Sequence, residues 1–98
     1  MDYNNYLKEN YNILKMIDEN NIKDEIIDAN ENAIELSKME NNRFLHSYRY
    51  SKIYDVWSNN NLNTRETTKI VELLENKYDK SIDTLLNDYL YLENAKEL

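Results

Sequence analysis

The chain has 98 residues and a formal net charge of −7, and it contains no Gly, Pro or Cys. This length predicts a single domain, residues 1–98, with a core of its own. The lack of Cys excludes disulfides and thiolate metal sites. The lack of Gly and Pro argues against turn-rich sheets and phosphate-binding loops, so the composition predicts an all-α domain.

Two amphipathic helices are predicted in the first half of the chain. Apolar residues at spacings of three and four predict a helix over residues 3–19 with Asp2 as its N-cap, and another over residues 22–40. The pairs Asn20-Asn21 and Asn41-Asn42 end these helices, because Asn adopts the left-handed conformation more readily than other residues with a Cβ. The apolar positions of the second helix are Ile22, Ile26, Ala29, Ala33 and Leu36.

The acidic residues of the second helix form a stripe on the opposite side. These residues are Asp24, Asp28, Glu31 and Glu35. One interpretation is a solvated surface, and a second is a calcium or magnesium site, although such sites draw oxygens from several directions. In the third, the carboxylates imitate phosphates and occupy a basic groove on another protein. We select the four residues as candidate partner-binding residues.

The third predicted helix, residues 43–58, holds the only Phe, His and Trp of the chain. It carries three basic residues and one acidic residue, whereas the segments on both sides are acidic. Its aromatic residues lie on two arcs, which predicts either the buried middle of a bundle or a face reserved for a partner. We expect Ile53 and Trp57 to be buried. The candidate partner-binding residues of this helix are Tyr48, Arg49, Tyr50 and Tyr54.

The last part of the chain has two possible arrangements after a predicted loop at residues 59–62. Apolar residues from Thr67 to Leu92 follow at spacings of three or four, which favours one long helix from residue 63 or 64 to residue 96. Alternatively, residues 78–81 break it and Ser81 caps a fifth helix. The fold is therefore a small bundle of four or five helices, with the aromatic-rich third helix at its centre.

A long C-terminal helix would expose apolar surface that the shorter helices cannot cover. We therefore predict a homodimer joined through this surface. The residues expected to form it are Leu85, Leu86, Tyr89 and Leu92.

No constellation for catalysis or metal binding is recognisable in the sequence. His46 is the only imidazole, and the Glu-x-x-His pairs that form metal sites in helical bundles do not occur. There is no cysteine nucleophile, phosphate loop or nucleophile elbow. We therefore expect a protein that is not an enzyme, with no catalytic residue, no metal and no cofactor.

The remaining features bear on location and source. The start, MDYNNYLKENY, has neither the basic region nor the apolar region of a secretion signal, and no apolar run approaches the roughly 20 residues of a membrane span. These features predict a cytoplasmic protein without membrane contact. The surplus of Asn, Lys, Ile and Tyr matches A/T-rich codons and suggests a viral or bacterial source with a low-GC genome.

The region NNNLNTRETTKIVELLENKY, residues 59–78, joins a polar loop to a Thr-rich first helical turn. Because the chain also has four predicted helices in about 100 residues, it resembles the pediocin-type bacteriocin immunity proteins. This resemblance implies a helical bundle that neutralises a specific toxin.

The sequence as a whole predicts an acidic binding protein that inhibits a protein partner with a basic surface and does not bind nucleic acid directly. The preferred function is a phage or mobile-element inhibitor of a nucleic-acid-handling host defence enzyme, in the manner of an anti-CRISPR protein. The alternative is an immunity protein or antitoxin, and the third possibility is a structural subunit of a helical assembly.

Overall fold

The chain is all-helical, and the helices are more numerous than predicted. The computed structural model describes residues 2–58, 64–75 and 78–97, except for the side chain of Trp57. Within these residues there are six helices and no strand, instead of four or five helices. Their bounds are α1 Tyr3–Glu9, α2 Tyr11–Glu19, α3 Lys23–Lys38, α4 Leu45–Ser58, α5 Thr64–Leu74 and α6 Ile82–Asn94.

The first predicted helix is interrupted at Asn10. Asp2 is its N-cap as expected, and the Asp2 side chain accepts a hydrogen bond from the backbone N–H of Asn5. At Asn10 the backbone leaves the helical conformation (φ −101°, ψ 15°), and the side-chain amide donates to the carbonyl of Tyr6 over 2.9 Å. Such a side chain-to-backbone bond competes with regular helix, because it offers the carbonyl another donor. The helix therefore starts again as α2.

Asparagine supplies the left-handed residues of the next two connections. Asn21 has a φ of 55°, and Asn41 and Asn42 have φ values of 56° and 63°. The connection after α3 is also held by the buried Ser37, whose hydroxyl donates to Oδ1 of Asn42 over 3.1 Å. In return, the backbone N–H of Asn42 donates to the Ser37 carbonyl over 2.7 Å. These bonds fix how the chain leaves α3.

The C-terminal region adopts the broken arrangement of the two that were predicted. Helix α5 ends at Leu74, and Asp79 takes a left-handed conformation with a φ of 52°. Ser81 is the N-cap of α6, and its hydroxyl accepts a hydrogen bond from the backbone N–H of Thr84 over 3.2 Å. The break lets α5 and α6 pack separately. The predicted loop at residues 59–62 lies outside the described residues.

One apolar core joins all six helices. Helix α2 contacts α1, α5 and α6, while α3 packs most extensively on α4. The buried members of the core are Tyr6, Leu7, Ile13, Leu14, Ile17, Ile22, Ile26, Ala29, Ile53, Ile70, Val71, Leu73, Ile82, Leu85, Leu86, Tyr89 and Leu92.

The aromatic-rich helix α4 is not the buried centre that was predicted. It lies between α3 and α5, and Ile53 is the only one of its described side chains that is buried. The burial predicted for Ile53 is confirmed, whereas the side chain of Trp57 lies outside the described part of the structure. Among the other apolar residues of this region, Tyr50 and Val56 pack partly buried against the core, while Phe44 and Tyr54 are exposed.

Small residues explain the close packing of α3 on α4. Ala29, Ala33 and Ser37 are buried and follow one another at intervals of four, so they form one ridge along α3. Short side chains let the neighbouring backbone approach closely. Leu36, predicted to be part of this buried face, is 37% exposed. Because the ridge packs on α4, the opposite side of α3 faces solvent.

Candidate functional site

The acidic stripe of α3, Asp24, Asp28, Glu31 and Glu35, lies on the outer surface. All four residues are exposed. At 100° per residue they lie within about 60° of one another. They are on the side of α3 opposite the buried ridge that packs on α4. The helix thus presents its carboxylates as one row directed away from the protein.

An ion pair engages Glu35 at one end of the acidic stripe, whereas its centre is unpaired among the described residues. Nζ of Lys38 lies 2.9 Å from Glu35, while Nζ of Lys23 lies 2.6 Å from Asp83 and 4.0 Å from Asp24. Among the described residues, no ion pair engages Asp28 or Glu31. Within these residues, the middle of the row therefore carries uncompensated negative charge.

The charge spacing of the acidic stripe can be compared with that of nucleic acid. Its first and last members are eleven helical steps apart, which corresponds to about 17 Å of helix and one charge per about 5–6 Å. A DNA duplex carries one charge per about 1.7 Å of axis, and each strand one per about 3.4 Å. The stripe is thus sparser than either, and it matches a short basic groove better than a long duplex-binding cleft.

Arg49 and His46 of α4 have partners inside the fold, and the role of Arg49 in partner binding stays a prediction. Nε of Arg49 donates to Oδ1 of Asn30 over 2.8 Å, and Nη1 lies 3.6 Å from Glu75. The Arg49 side chain is only 15% exposed. His46 adds a second link to α5, with Nδ1 3.0 Å from a Glu75 carboxylate oxygen. Arg49 and His46 therefore connect helices α3, α4 and α5.

The three tyrosines predicted to bind a partner do not form one surface. Tyr50 packs against the core, and Tyr54 is exposed. The hydroxyl of Tyr48 donates to Glu40 over 3.1 Å, and this hydrogen bond raises the pKa of Tyr48. Tyr48 and Tyr54 lie about 120° apart around the helix, so they occupy different parts of its surface, and their role in partner binding stays a prediction.

The residues predicted to join a homodimer are buried within the single chain. Leu85, Leu86, Tyr89 and Leu92 belong to the core, where α6 packs on α1 and α2. The expectation of an exposed apolar stripe on this helix is wrong, because the break before Ser81 lets α6 fold back onto the other helices. The homodimer itself stays a prediction.

Three exposed apolar residues lie near one another along the chain and were not among the predicted site residues. Met39 is 83% exposed, Phe44 is 47% exposed, and Leu36 belongs with them. They lie where α3 ends and α4 begins. The signal available in the sequence was a Met and a Phe on either side of the polar pair Asn41-Asn42.

A cleft of about 500 Å³ lies between α2 and α5. Its lining includes Arg65 and Lys69 as well as Glu9 and Glu66, so positive and negative charges face each other across it. Because of this balance, the cleft does not favour ligands of either charge. The cleft also does not extend the acidic surface of α3.

Three further findings concern metal sites, membrane-spanning helices and relatives. The described residues contain no group of three or more His, Asp or Glu side chains arranged to hold a metal ion. No helix in this part of the chain has both the length and the apolar character needed to cross a membrane. Comparison with protein-family models, curated proteins and solved structures finds no match to this chain.

Proposed function

We propose that this chain is a binding protein that inhibits a protein partner by occupying its basic surface, with the acidic stripe of α3 as the docking face. The observation that carries the proposal is the unpaired centre of the stripe. Asp28 and Glu31 are exposed and belong to no ion pair of the described residues, while the fold provides internal partners for Arg49 and His46. The surface therefore retains net negative charge where a partner can reach it.

The proposed partner is a protein that handles nucleic acid, such as a host defence enzyme that a phage or mobile element inhibits. A groove that attracts phosphates presents a positive field, and the same field attracts carboxylates. The stripe is short and sparse compared with a duplex, which favours a local basic groove over an extended binding channel. Direct binding of nucleic acid is disfavoured by the net charge of −7, because like charges repel.

Affinity capture from the native host followed by binding kinetics tests this proposal. The full chain serves as bait, and the captured protein is purified and measured against the chain at two ionic strengths. Electrostatic steering raises association rates by about 10- to 1,000-fold at low salt. We expect the double variant Asp28→Lys/Glu31→Lys to lose most of this gain in association rate, with a smaller change in dissociation rate.

A second charge reversal provides a matched control. Glu9 and Glu97 are exposed and belong to no ion pair within the described residues. Glu9→Lys/Glu97→Lys replaces two acids by two bases, as the stripe variant does, so both proteins change from a net charge of −7 to −3. The control should bind more like wild type. Equal binding by wild type and stripe variant at low salt would contradict the proposal and would favour docking through α4.

A further inference from the structure

An exposed methionine continues the row of carboxylates on α3. Met39 follows Glu35 by four residues, as Glu35 follows Glu31, and its backbone is still helical (φ −67°, ψ −15°). A step of four residues turns by about 40°, so Met39 lies one turn beyond Glu35 and almost in line with the stripe. It is 83% exposed, the largest exposure among the large apolar residues that the structure describes.

Two other apolar side chains accompany Met39 at this end of the helix. Leu36 lies three residues earlier, which places it beside Met39 on the helix surface. Phe44 comes just before α4, and the residues around it return to the end of α3. The N–H of Arg43 donates to the Glu40 carbonyl over 3.1 Å, and the Tyr48 hydroxyl donates to the Glu40 carboxylate. We call Leu36, Met39 and Phe44 the apolar tip.

The apolar tip is held in place by its backbone. The connection carries two left-handed residues, Asn41 and Asn42, and the buried Ser37 bonds to Asn42 through both side chain and backbone. Ordering a surface before binding reduces the entropy lost on association. The backbone position of Met39 relative to the acidic stripe is thus set before a partner arrives.

A second copy of this chain is a poor occupant of the apolar tip. Three partly exposed side chains offer far less area than the roughly 800 Å² per partner of a standard interface. The adjoining stripe would also face its own negative charge across a two-fold axis, and each chain already carries −7. Charge complementarity instead favours a cationic partner.

We infer that the apolar tip is the hydrophobic anchor of the docking face, and that the partner is a protein whose basic groove ends in an apolar pocket. This inference rests on the proposed function, and it adds a second, uncharged determinant to it. The stripe and the tip together run from Asp24 to Met39, about 22 Å of helix. Charge speeds the encounter, and burial of the Met39 side chain slows dissociation.

Two synthetic peptides of equal length and charge test the inference on the full chain. One is a repeat of lysine and serine, and the other replaces the last two serines with leucine and tryptophan. Labelled methionine methyl groups report binding by NMR, with Met16 on α2 as an internal reference. We expect the second peptide to shift the Met39 methyl signal and to bind about tenfold tighter, since it buries apolar surface.

Two variants separate the anchor from the charge. Met39→Ser should remove the advantage of the second peptide and keep the salt-dependent binding of both. Tyr91→Ser removes another strongly exposed side chain, on α6, and should preserve the advantage. Equal binding of the two peptides with an unmoved Met39 signal would overturn the anchor and leave the docking stripe intact. If the stripe is not the docking face, the result is different. The lysine–serine peptide then binds wild type and Asp28→Lys/Glu31→Lys equally, or binds neither, and either outcome overturns both the docking stripe and the anchor.

Discussion

Arg49 donates from its Nε to Oδ1 of Asn30 over 2.8 Å, and this hydrogen bond ties α4 to α3. The same guanidinium lies 3.6 Å from Glu75 on its other side. A basic residue that the sequence suggests for a partner is therefore engaged within the fold. The positive charge of Arg49 is therefore directed to Asn30 and Glu75 and not to the acidic stripe.

Replacing Arg49 should destabilise the protein. Arg49→Met leaves the amide of Asn30 without its donor, and hydrogen bonds to charged groups contribute roughly 1.5–3 kcal/mol, so we expect a loss of about 1–3 kcal/mol in the free energy of unfolding. Urea denaturation measures it. Arg43→Met is the matched control, because Arg43 is exposed, and it should change stability by less than about 0.5 kcal/mol. Equal stability of the two variants would show that the Arg49 contacts contribute nothing.

The N-cap at Ser81 should contribute measurably to the break between α5 and α6. Ser81→Ala removes the oxygen that accepts from the N–H of Thr84, and such caps are worth about 1 kcal/mol. Ser81→Gly should cost only a few tenths of a kcal/mol. Ser58→Ala is the control, since that hydroxyl donates to a carbonyl in the last turn of α4. Thermal and urea unfolding of the three variants measure these losses of stability. Equal stability of Ser81→Ala and Ser81→Gly would refute the expected order.

Truncating Leu85 should destabilise the single chain, because Leu85 is a core residue and not a dimer contact in this structure. The side chain is fully buried in the single chain, so Leu85→Ala should lower the free energy of unfolding by about 2–5 kcal/mol. Tyr91→Ala on the exposed side of the same helix should cost much less. Urea denaturation and light scattering are run on both. A Leu85→Ala protein of normal stability but lower molar mass would instead support the predicted homodimer.

Stability should fall at alkaline pH because of two tyrosines, the partly buried Tyr3 and the buried Tyr89. Burial, followed by a hydrogen bond to a carboxylate, raises the pKa of Tyr3 beside Asp88 and of Tyr89 beside Glu93. Their folded-state pKa values lie above the unfolded value of about 10, so the stabilisation is complete below pH 10 and is lost as the pH rises further. The midpoint of urea unfolding should therefore drop between pH 9 and pH 11, conditions chosen to bracket that unfolded pKa of about 10.

The phenylalanine variant separates this effect from general alkaline damage. Tyr3→Phe should show a smaller drop than wild type over the same range, because it cannot ionise. Tyr54→Phe is the control, since that side chain is exposed on α4. An identical pH dependence in all three proteins would remove Tyr3 as a contributor.

The positions of several helices and one face of α3 were predictable because they depend on local pattern. The cap at Asp2, the Asn residues at helix ends and the acidic stripe all follow from the helical period and from the conformations that single residues favour. The break at Ser81 was one of two predicted arrangements, since an unbroken apolar period and a capping residue coincide there. The interruption at Asn10 was missed, because an Asn within an apolar period carries no distinctive signal.

By itself, the sequence determined that this protein is all-helical and that α3 has a charged face opposite an apolar one. Only the tertiary structure decided which surfaces remain available. Arg49 is engaged by Asn30, α6 buries Leu85 against other helices, and Met39 is exposed at the end of the stripe. The physical reason is that helical periodicity acts within one segment, whereas burial and charge neutralisation depend on which other segment packs against it.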